Sequence, residues 1–357
     1  MKSRHIFMLG CFCALLFVFW ETYQLTLQHV KRQQNSLSLM MRMEQCKKLR
    51  EKYTSVKSAS LGNTTMFSED MKELFGCPWM TDRTLKENYR VALHSTCNAT
   101  QGLILTRENT PLGKRIRYDG ERKRTRVVDT SLFNMLPESM PWKAEAPLGR
   151  CAVIGNGGIL KNSSCGSKIN DADFVIRLNL ASIKFSNDVG VKTNLITANP
   201  TQLKRSYPNM KKHGQRLADL MSLYGDPPLL LPAFAFSLCT GISFQVHRAL
   251  SQRKKKVVFF SPHYLTQLDR YWRRKGQRAA RLSTGLMLAS VAMEVCEEVH
   301  LFGFWPFQFD LSLQKLSHHY YDNVGPRRGA HNMPQEFLQL LRLHSQGVIN
   351  LHIGKCQ

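Results

Sequence analysis

Cys151-Ala-Val-Ile-Gly155-Asn-Gly-Gly-Ile-Leu160 is the stretch that decides the fold. Its apolar, β-branched run from Ala152 to Ile154 predicts a buried parallel strand. The run ends in a glycine-rich turn, where the missing Cβ atoms would let backbone N–H groups approach a phosphate or a sugar closely. Further apolar strands at Phe174–Leu180 and Asn194–Ala198 follow at βαβ spacing. The pattern predicts a nucleotide site at the carboxyl ends of parallel strands.

The rest of the chain continues the alternation of strands and helices. Strands are predicted at Leu229–Phe236, Val257–Phe260, Val299–Phe302 and Val348–Ile353, with helices at His213–Tyr224, Gly241–Arg253, Tyr264–Arg274, Ser283–Val295 and Gln335–Leu343. We therefore predict an α/β fold with a Rossmann-like, mostly parallel twisted sheet flanked by helices. The Gly-x-Gly-Gly turn is not the dinucleotide fingerprint, and no acidic residue closes the next strand, which disfavours a nucleotide-dependent oxidoreductase.

An unbroken apolar run from Ile6 to Trp20 follows the basic residues Lys2 and Arg4 near the N-terminus. At about 1.5 Å per residue this run is shorter than an average bilayer core, although Golgi-type membranes are expected to be thinner than the plasma membrane. A cleaved signal peptide is the alternative, but no small-x-small cleavage site precedes Glu21. We predict an uncleaved anchor whose basic end is cytosolic, which makes the protein a single-pass type II membrane protein.

The predicted organisation is a cytoplasmic tail at 1–5, a transmembrane signal anchor at 6–20, a stem at 21–75 and a lumenal catalytic domain at 76–357. The stem is polar and rich in Gln, Lys and Met, with little to bury. Cys46 within it could cross-link two chains into a homodimer; a free or intrachain cysteine is the alternative.

The formal net charge of +24 first suggests a nucleic-acid partner. The basic residues are scattered, however, and neither zinc-finger spacing nor an aromatic RNA-binding motif accompanies them. Attraction to an anionic nucleotide sugar, acidic glycans or lipid headgroups explains the charge better, so no nucleic-acid partner is predicted.

Glycosylation and cysteine patterns agree with a lumenal body. Acceptor sequons begin at Asn63, Asn98 and Asn162. Eight cysteines lie outside the anchor and include no Cys-x-x-Cys pair, which in an oxidising lumen indicates disulfides rather than zinc ligands.

Clusters of polar residues in the second half of the chain each have a structural and a functional interpretation. Ser283-Thr284-Gly285 could cap an apolar helix, or its free N–H groups could bind an anion or a base edge. The adjacent His318 and His319 suggest a metal, but the expected spacing and partner ligands are missing. A lone histidine before a helix, such as His331, is ordinarily a surface residue or a satisfied core residue.

Taken together, these stretches resemble the four motifs of the animal sialyltransferases. The quoted stretch, with Phe-Val-Ile-Arg177-Leu-Asn179 and Asp188-Val-Gly-Val-Lys-Thr193, is similar to the large sialylmotif. The segments from Arg281 to Met287 and from Cys296 to Phe307 resemble the small motif, His319-Tyr-Tyr-Asp322 resembles the third motif, and His331-Asn-Met-Pro-Gln-Glu336 resembles the very small motif. The resemblance covers roughly Cys77 to Cys356 in family order.

The resemblance implies a role for each motif. His331 would be the general base, a task that suits an imidazole because its unperturbed pKa is about 6.5. His319, helped by His318, would donate hydrogen bonds to the donor phosphate, and Glu336 could orient His331 or cap the following helix. The implied contacts to the nucleotide are Asn156, Asn179, Ser283, Thr284, Gly285 and Trp305.

The resemblance also implies disulfides between Cys151 and Cys296 and between Cys165 and Cys356. We predict a third between Cys77 and Cys97. Cys239 is left unassigned. Asp171-Ala-Asp173 has the form of a metal-binding Asp-x-Asp pair. The family's donor, CMP-sialic acid, has one phosphate and needs no metal bridge, so we interpret the pair as a solvated start of a strand. Neither a metal nor a cofactor is predicted.

Within the family, the chain is most similar to the mono- and oligo-sialylating α-2,8 branch, which includes the GD3-type ganglioside synthase and the type VI O-glycan enzyme. This implies inverting transfer to the 8-hydroxyl of a terminal sialic acid, expected to be α-2,3-linked, on glycoproteins or gangliosides in the Golgi. Leu178 and Ala330-His331-Asn332 depart from the branch pattern and bear on fine specificity. The alternatives are a polysialyltransferase, whose basic tract is interrupted by acids here, and a non-catalytic lumenal protein that binds sialoglycans.

Overall fold

The computed structural model describes residues 2–56, 64–140, 147–324 and 331–356, without the side chains of residues 2–18 and 30. The chain divides into two compact units, Met1–Lys52 and Tyr53–Gln357. Most side chains of the predicted anchor at 6–20 are not described. No helix among the described residues has both the length and the apolar character needed to cross a membrane.

The helices and strands follow one another as expected for an α/β protein. The described helices are α1 (Lys2–Ser55), α2 (Thr64–Gly76), α3 (Arg83–Thr96), α4 (Ala99–Gly102), α5 (Thr130–Met135), α6 (Gly166–Asn170), α7 (Ser186–Val189), α8 (Pro200–Ser206), α9 (Met210–Leu223), α10 (Ser237–Ser251), α11 (Pro262–Arg274), α12 (Thr284–Val295) and α13 (Met333–Ser345). The described strands are β1 (Arg115–Arg117), β2 (Thr125–Val127), β3 (Arg150–Ile154), β4 (Phe174–Arg177), β5 (Leu195–Thr197), β6 (Leu229–Leu231), β7 (Val257–Phe259), β8 (Glu298–Phe302) and β9 (Asn350–His352).

The central sheet has seven strands in the order β7-β6-β5-β4-β3-β8-β9, and every pair in it is parallel. The prediction of a mostly parallel sheet is confirmed; a small antiparallel hairpin of β1 and β2 is separate from it. From β3 the chain builds outward through β4 to β7, then returns to add β8 on the other side of β3. In open α/β sheets, ligands bind at such a reversal of strand order, outside the carboxyl ends of the strands.

Buried apolar side chains hold the sheet to the helices on its faces. One cluster joins strand residues such as Ile196, Leu231 and Phe259 to Leu217 of α9 and Val246 of α10. A second cluster joins β3 and β4 to the chain around α6 and α7. The nearly continuous apolar strands fit this arrangement, because a parallel sheet is buried on both faces.

Some predicted strands are shorter in the structure. The strand beginning at Phe174 ends at Arg177 because Asn179 and Leu180 have left-handed backbones, with φ of 57° and 49°. The strand beginning at Leu229 ends at Leu231, before a proline, which has no N–H to extend the ladder. Because β4 ends early, the chain turns at Asn179, one of the residues predicted to contact the nucleotide.

The compact body begins earlier than predicted. Residues up to 75 were expected to form a stem, but α2 buries Phe67, Met71 and Leu74. The hydroxyl of Ser68 also donates to the carbonyl of Leu311 at 2.7 Å. Residues of α2 therefore belong to the body, in agreement with a compact unit that starts at Tyr53.

Candidate active site

Two glycine-bearing turns meet at the carboxyl ends of the neighbouring strands β3 and β8. Gly155 N–H donates to Phe302 O at 2.7 Å, and Gly157 N–H donates to Gly303 O at 3.0 Å. A Cβ atom on Gly155 or Gly157 would lie 2.8 or 2.6 Å from Gly303 O, so only glycine allows this approach. The prediction that these N–H groups are open to a phosphate is wrong for both, because the β8 turn already accepts their hydrogen bonds.

Asn156 and Asn179 instead provide polar atoms at this edge. Asn156 Nδ2 donates to Leu178 O at 3.3 Å, which links the turns after β3 and β4. The side-chain oxygens of both asparagines are buried, and neither has a hydrogen-bond partner within the described residues. Because buried polar atoms are nearly always paired, these two acceptors are suited to hydrogen-bond donors of a bound ligand, such as ribose hydroxyls or a base amine.

The segment from Ser317 to Asn323 packs directly on the glycine turn. Gly158 N–H donates to His318 O at 3.2 Å, and Tyr320 N–H donates to Asn156 O at 3.1 Å. A Cβ atom on Gly158 would lie 2.0 Å from Ser317 O. Although about 160 residues separate them in sequence, these two segments form one surface, which places both predicted phosphate-binding histidines beside Asn156.

His319 is oriented by a carboxylate. Its Nδ1 lies 2.7 Å from Asp322 Oδ1. Burial alone would raise the pKa of Asp322, but hydrogen bonds from Val324 N–H and His319 outweigh it and lower that pKa. Asp322 is therefore an ionised acceptor, so Nδ1 of His319 carries a proton and Nε2 is directed away from it.

His318 is in a different electrostatic environment. Burial lowers its pKa, and the neighbouring His319 lowers it further, against an opposing effect of Asp322. A neutral imidazole can still donate one hydrogen bond. Of the two histidines, His319 is the one whose ring is oriented by a carboxylate, which makes it the better candidate for a fixed donor to an anion.

The N-terminus of α12 is held by the very small motif. Ser283 caps the helix by accepting a hydrogen bond from Leu286 N–H at 3.1 Å. Its own N–H donates to Glu336 Oε1 at 2.8 Å. Burial raises the pKa of Glu336 to about 7, against the two hydrogen bonds from Ser283. The capping interpretation of Ser283 is thus confirmed, and Glu336 joins α13 to the start of α12.

Thr284 and Gly285 form the first turn of that helix. A Cβ atom on Gly285 would lie 2.9 Å from the ring of Phe304, in the turn after β8. The two halves of the small motif therefore pack against each other, which brings the helix N-terminus to the same edge of the sheet as the glycine turns.

His331 lies next to this helix start, through Arg281. Its Nδ1 is 3.0 Å from Arg281 O, and the side chain is exposed. Because a carbonyl oxygen can only accept, Nδ1 must carry the proton. In the neutral imidazole Nε2 then has the free lone pair, which is the tautomer that a general base requires.

Trp305 is less open than a pocket-lining side chain. It is 4 % exposed, and its Nε1–H donates to Phe309 O at 2.6 Å. Its ring packs against Phe67 and Phe337 in an aromatic cluster. The backbone carbonyl of Trp305, rather than the ring, borders the glycine turn at Gly157. Its contact with a nucleotide stays a prediction.

Arg177 is a residue of the large motif for which the sequence predicted no role of its own. Its guanidinium is fully buried and has no carboxylate partner among the described residues. It donates to Val189 O at 2.8 Å and to Lys192 O at 3.1 Å. Burial lowers its pKa to about 10, so it remains charged at neutral pH. Part of the large motif is thus a scaffold, in which Arg177 fixes the turn after α7 to β4.

The Asp-x-Asp pair lies at the opposite edge of the sheet. Asp173 Oδ2 accepts a hydrogen bond from Arg150 N–H at 2.7 Å, at the amino end of β3. Asp171 is exposed at the end of α6. Both carboxylates are therefore at the start of β4, as predicted, rather than at its carboxyl end. No cluster of three or more metal-ligating side chains occurs among the residues that the structure describes.

Two of the predicted disulfides are confirmed. Cys151 is bonded to Cys296, with 6.0 Å between their Cα atoms, and joins the large motif to the small one. Cys165 is bonded to Cys356, with 4.9 Å between their Cα atoms, and fixes the end of the chain to the start of α6.

The guess that Cys77 pairs with Cys97 is wrong. Cys97 is a free, buried thiol, as is Cys239, whereas Cys77 and Cys46 are each disulfide-bonded. The spacing of the cysteines could not show that Cys97 stays free. In the structure its thiol packs at the end of α3, beside the buried carboxylate of Glu294.

The predicted glycosylation sites differ in their surroundings. Asn63 lies outside the described residues. Asn162 is exposed with a left-handed backbone, φ 60°. Asn98 is half-buried and caps α4, and its side-chain oxygen accepts hydrogen bonds from Gln101 N–H and the Thr100 hydroxyl.

Comparisons with known proteins agree with this geometry. The profile of glycosyltransferase family 29 (sialyltransferase) matches residues 104–348. The chain is 43% identical over 323 residues to alpha-2,8-sialyltransferase 8F of Mus musculus, covering 88% of this chain and 80% of that protein. It is 40% identical over 315 residues to alpha-2,8-sialyltransferase 8E of Homo sapiens, covering 87% and 84%.

Among solved structures, a crystal structure of a mammalian sialyltransferase has the same fold, with a TM-score of 0.51 and 21% identity over 78% of this chain and 98% of that one. The family profile spans more than half of the sequence, and relatives of at least 40% identity cover most of it. The chain therefore belongs to glycosyltransferase family 29, the sialyltransferases.

Proposed function

We propose that this protein is an α-2,8-sialyltransferase that moves sialic acid from CMP-sialic acid to the 8-hydroxyl of a terminal sialic acid on a glycan. The bond from the anomeric carbon to the phosphate breaks, and CMP leaves with the bonding electrons. The acceptor oxygen forms the new bond on the opposite face, with inversion. The observation that carries the proposal is the grouping of His331, His319 and the two unpaired asparagine oxygens at one edge of the sheet.

His331 takes the proton of the acceptor hydroxyl. The hydrogen bond of its Nδ1 to the Arg281 carbonyl leaves Nε2 as the basic atom, and the exposed ring can meet an acceptor that arrives from solvent. A base positioned in this way typically contributes about 10²- to 10⁴-fold to the rate.

His319 stabilises the departing phosphate. The ionised Asp322 fixes its Nδ1–H and compensates a positive charge on the ring. Donors that are oriented before the reaction compensate developing charge well, because no solvent has to reorganise. His318 adds one neutral N–H at the same position.

The nucleotide itself lies over the turns after β3 and β4 and the start of α12. Asn156 and Asn179 accept hydrogen bonds from its hydroxyl or amine groups. The first turn of α12, at Ser283, Thr284 and Gly285, contributes the positive end of its dipole. This site uses one phosphate and no divalent metal, so turnover in excess EDTA should equal turnover without it.

The acceptor and the compartment follow from the same proposal. We infer that the acceptor sialic acid is α-2,3-linked on a glycoprotein or a glycolipid, and that the body acts in the Golgi lumen behind an N-terminal anchor. Product analysis with CMP-sialic acid and a panel of sialylated lipids and glycoproteins tests linkage and acceptor together.

The decisive experiment is the replacement of His331 by Ala. We expect transfer to fall by at least about 10²-fold, while CMP binding, measured by calorimetry, is retained. His213→Ala is the matched control, because the Nδ1 of His213 also contacts a backbone carbonyl, at 3.0 Å, on α9, and its side chain is partly exposed. Undiminished turnover in His331→Ala would remove this residue from its role.

A further inference from the structure

A second concave site lies apart from the glycine turns. It is a cavity of about 1030 Å³ between the ends of α3 and α4, strand β1 and the start of α11. Ligand sites of this volume typically hold molecules of several rings. No catalytic or nucleotide-binding role in the proposed reaction uses the residues that line it.

The lining of this cavity is strongly cationic. Its permanently charged side chains are Lys114, Arg115, Arg117, Arg122 and Arg270, and the lining contains no aspartate or glutamate. Two neighbouring carboxylates already have partners: Asp119 accepts from the Thr266 hydroxyl at 2.9 Å, and buried Glu294 accepts from Ala99 N–H. The cavity therefore selects for anions.

Strand β1 presents two of these charges side by side. Arg115 and Arg117 are exposed on one face of the strand, while Ile116 between them is buried. Alternate residues of a strand are separated by about 7 Å. Neither guanidinium has a carboxylate within 4.0 Å among the described residues, whereas Arg126 on the partner strand is paired with Asp129 at 2.8 Å. Two unpaired guanidiniums held in this way are suited to bidentate recognition of carboxylates.

The cavity opens at the same edge of the sheet as the candidate active site. Ser261 in its wall follows the carboxyl end of β7, and its N–H donates to Leu103 O at 2.9 Å. Asp119 lies behind the wall and interacts electrostatically with both Arg122 and Arg281. Since the carbonyl of Arg281 is the partner of His331, these electrostatic interactions and one hydrogen bond relate the cavity wall to the proposed base.

We propose that this cavity is a subsite for the acceptor, and that it binds a second carboxylate-bearing sugar beyond the sialic acid whose hydroxyl reacts. Its place in the reaction rests on the proposed function. A nucleic-acid ligand is disfavoured because the lining contains neither Phe nor Trp, and its one tyrosine ring, that of Tyr118, is buried and offers no stacking surface. A flat lipid surface would leave a recess of this volume unfilled.

Direct binding tests the subsite without requiring transfer. Calorimetric titration of the full chain with an α-2,8-linked sialic acid trimer, in the absence of CMP-sialic acid, should show binding that Arg115→Gln/Arg117→Gln weakens at least about tenfold. The control Arg248→Gln/Lys256→Gln also removes two exposed positive charges, one of them before β7 at the opposite edge of the sheet, and should bind as the wild type does. Arg122→Gln is a single replacement outside the hairpin strands and should weaken binding in the same direction.

Kinetics separates the subsite from the catalytic centre. With a disialylated acceptor, Arg115→Gln/Arg117→Gln should raise KM about tenfold and leave kcat and the KM for CMP-sialic acid unchanged, whereas a monosialylated acceptor should show no change. Equal trimer binding by wild type and variant would overturn the proposal, as would no trimer binding by the wild type. It would also be overturned if the variant lost binding to phosphatidylserine vesicles or to polyadenylate while trimer binding persisted. Loss of transfer in the wild type would refute the proposed function, but the binding result would still stand.

Discussion

The pKa of Glu336 makes the stability of this protein depend on pH in a way that one replacement should remove. Its carboxylate is 3 % exposed and accepts the N–H of Ser283 at 2.8 Å. Burial raises its pKa from 4.5 to about 7. Between these pH values the folded protein binds a proton at Glu336 more tightly than the unfolded chain does. The free energy of unfolding therefore falls as pH rises through this range.

The size of the effect follows from the shift. Each pKa unit corresponds to about 1.4 kcal/mol, so the change of the folded pKa from 4.5 to about 7 represents about 3 kcal/mol. This contribution is fully present below pH 4.5, is lost progressively up to about pH 7 and is constant above it. Glu336→Gln keeps an oxygen that can accept from Ser283 but does not titrate, so the variant should gain up to that amount relative to wild type as pH rises.

The assay is urea unfolding of wild type and variant at a series of pH values from 4.5 to 8, followed by fluorescence. The difference between the two proteins cancels all other titrating groups, as well as any constant effect of the amide. Glu138→Gln is the control, because Glu138 is highly exposed and its difference from wild type should not vary with pH. If the difference between Glu336→Gln and wild type were also independent of pH, Glu336 would be ionised without penalty and the burial argument would be refuted.

The remaining predictions concern three other contacts. Asp322→Asn removes the carboxylate that orients His319 and should lower kcat by on the order of tenfold to hundredfold with CMP affinity retained; unchanged kcat would contradict the charge-compensation role. Cys356→Ser breaks the bridge to Cys165 and should lower the free energy of unfolding by about 2–4 kcal/mol, measured as a lower urea midpoint. Burial lowers the pKa of His352 well below 6.5, so its stabilising contribution is present above that value and is lost as pH falls. His352→Phe should flatten the acid side of the stability profile, and an unchanged acid midpoint would contradict this.

The fold was predictable because its signals are local. A parallel sheet buried on both faces produces short apolar strands, and each predicted strand from Ala152 onward has a counterpart in the central sheet. Strand ends were less predictable: Asn179 and Leu180 continue an apolar pattern, yet their left-handed backbones end the strand at Arg177. Periodicity describes which side chains are buried but does not show where the backbone turns.

The candidate site was predictable only in part, because glycines in a turn can serve either ligand binding or close packing of the backbone. The glycines after β3 matched a phosphate-binding turn, but their N–H groups bind the β8 turn instead. A sequence does not show which segment will pack on a glycine, and in this case Gly303 does so from about 150 residues away. The asparagines in and after that turn retain the unpaired polar atoms, so the ligand-binding function belongs to Asn156 and Asn179.

The sequence also did not predict the hydrogen bond that positions the proposed base relative to the proposed nucleotide site. Glu336 had two predicted uses, orienting His331 or supporting the start of its own helix, in whose first turn it lies. It accepts the backbone N–H of Ser283, 53 residues earlier, and so fixes the start of α13 to the start of α12. His331 stands just before α13 and contacts Arg281, just before α12. Two hydrogen bonds therefore join the same pair of helix starts. They fix the position of the proposed base relative to the proposed nucleotide site. Because each bond ends on a backbone group, the side chains named in a sequence motif do not reveal it. For this reason Glu336→Gln should leave the site intact, whereas Glu336→Ala, which removes the acceptor, should raise the KM for both substrates.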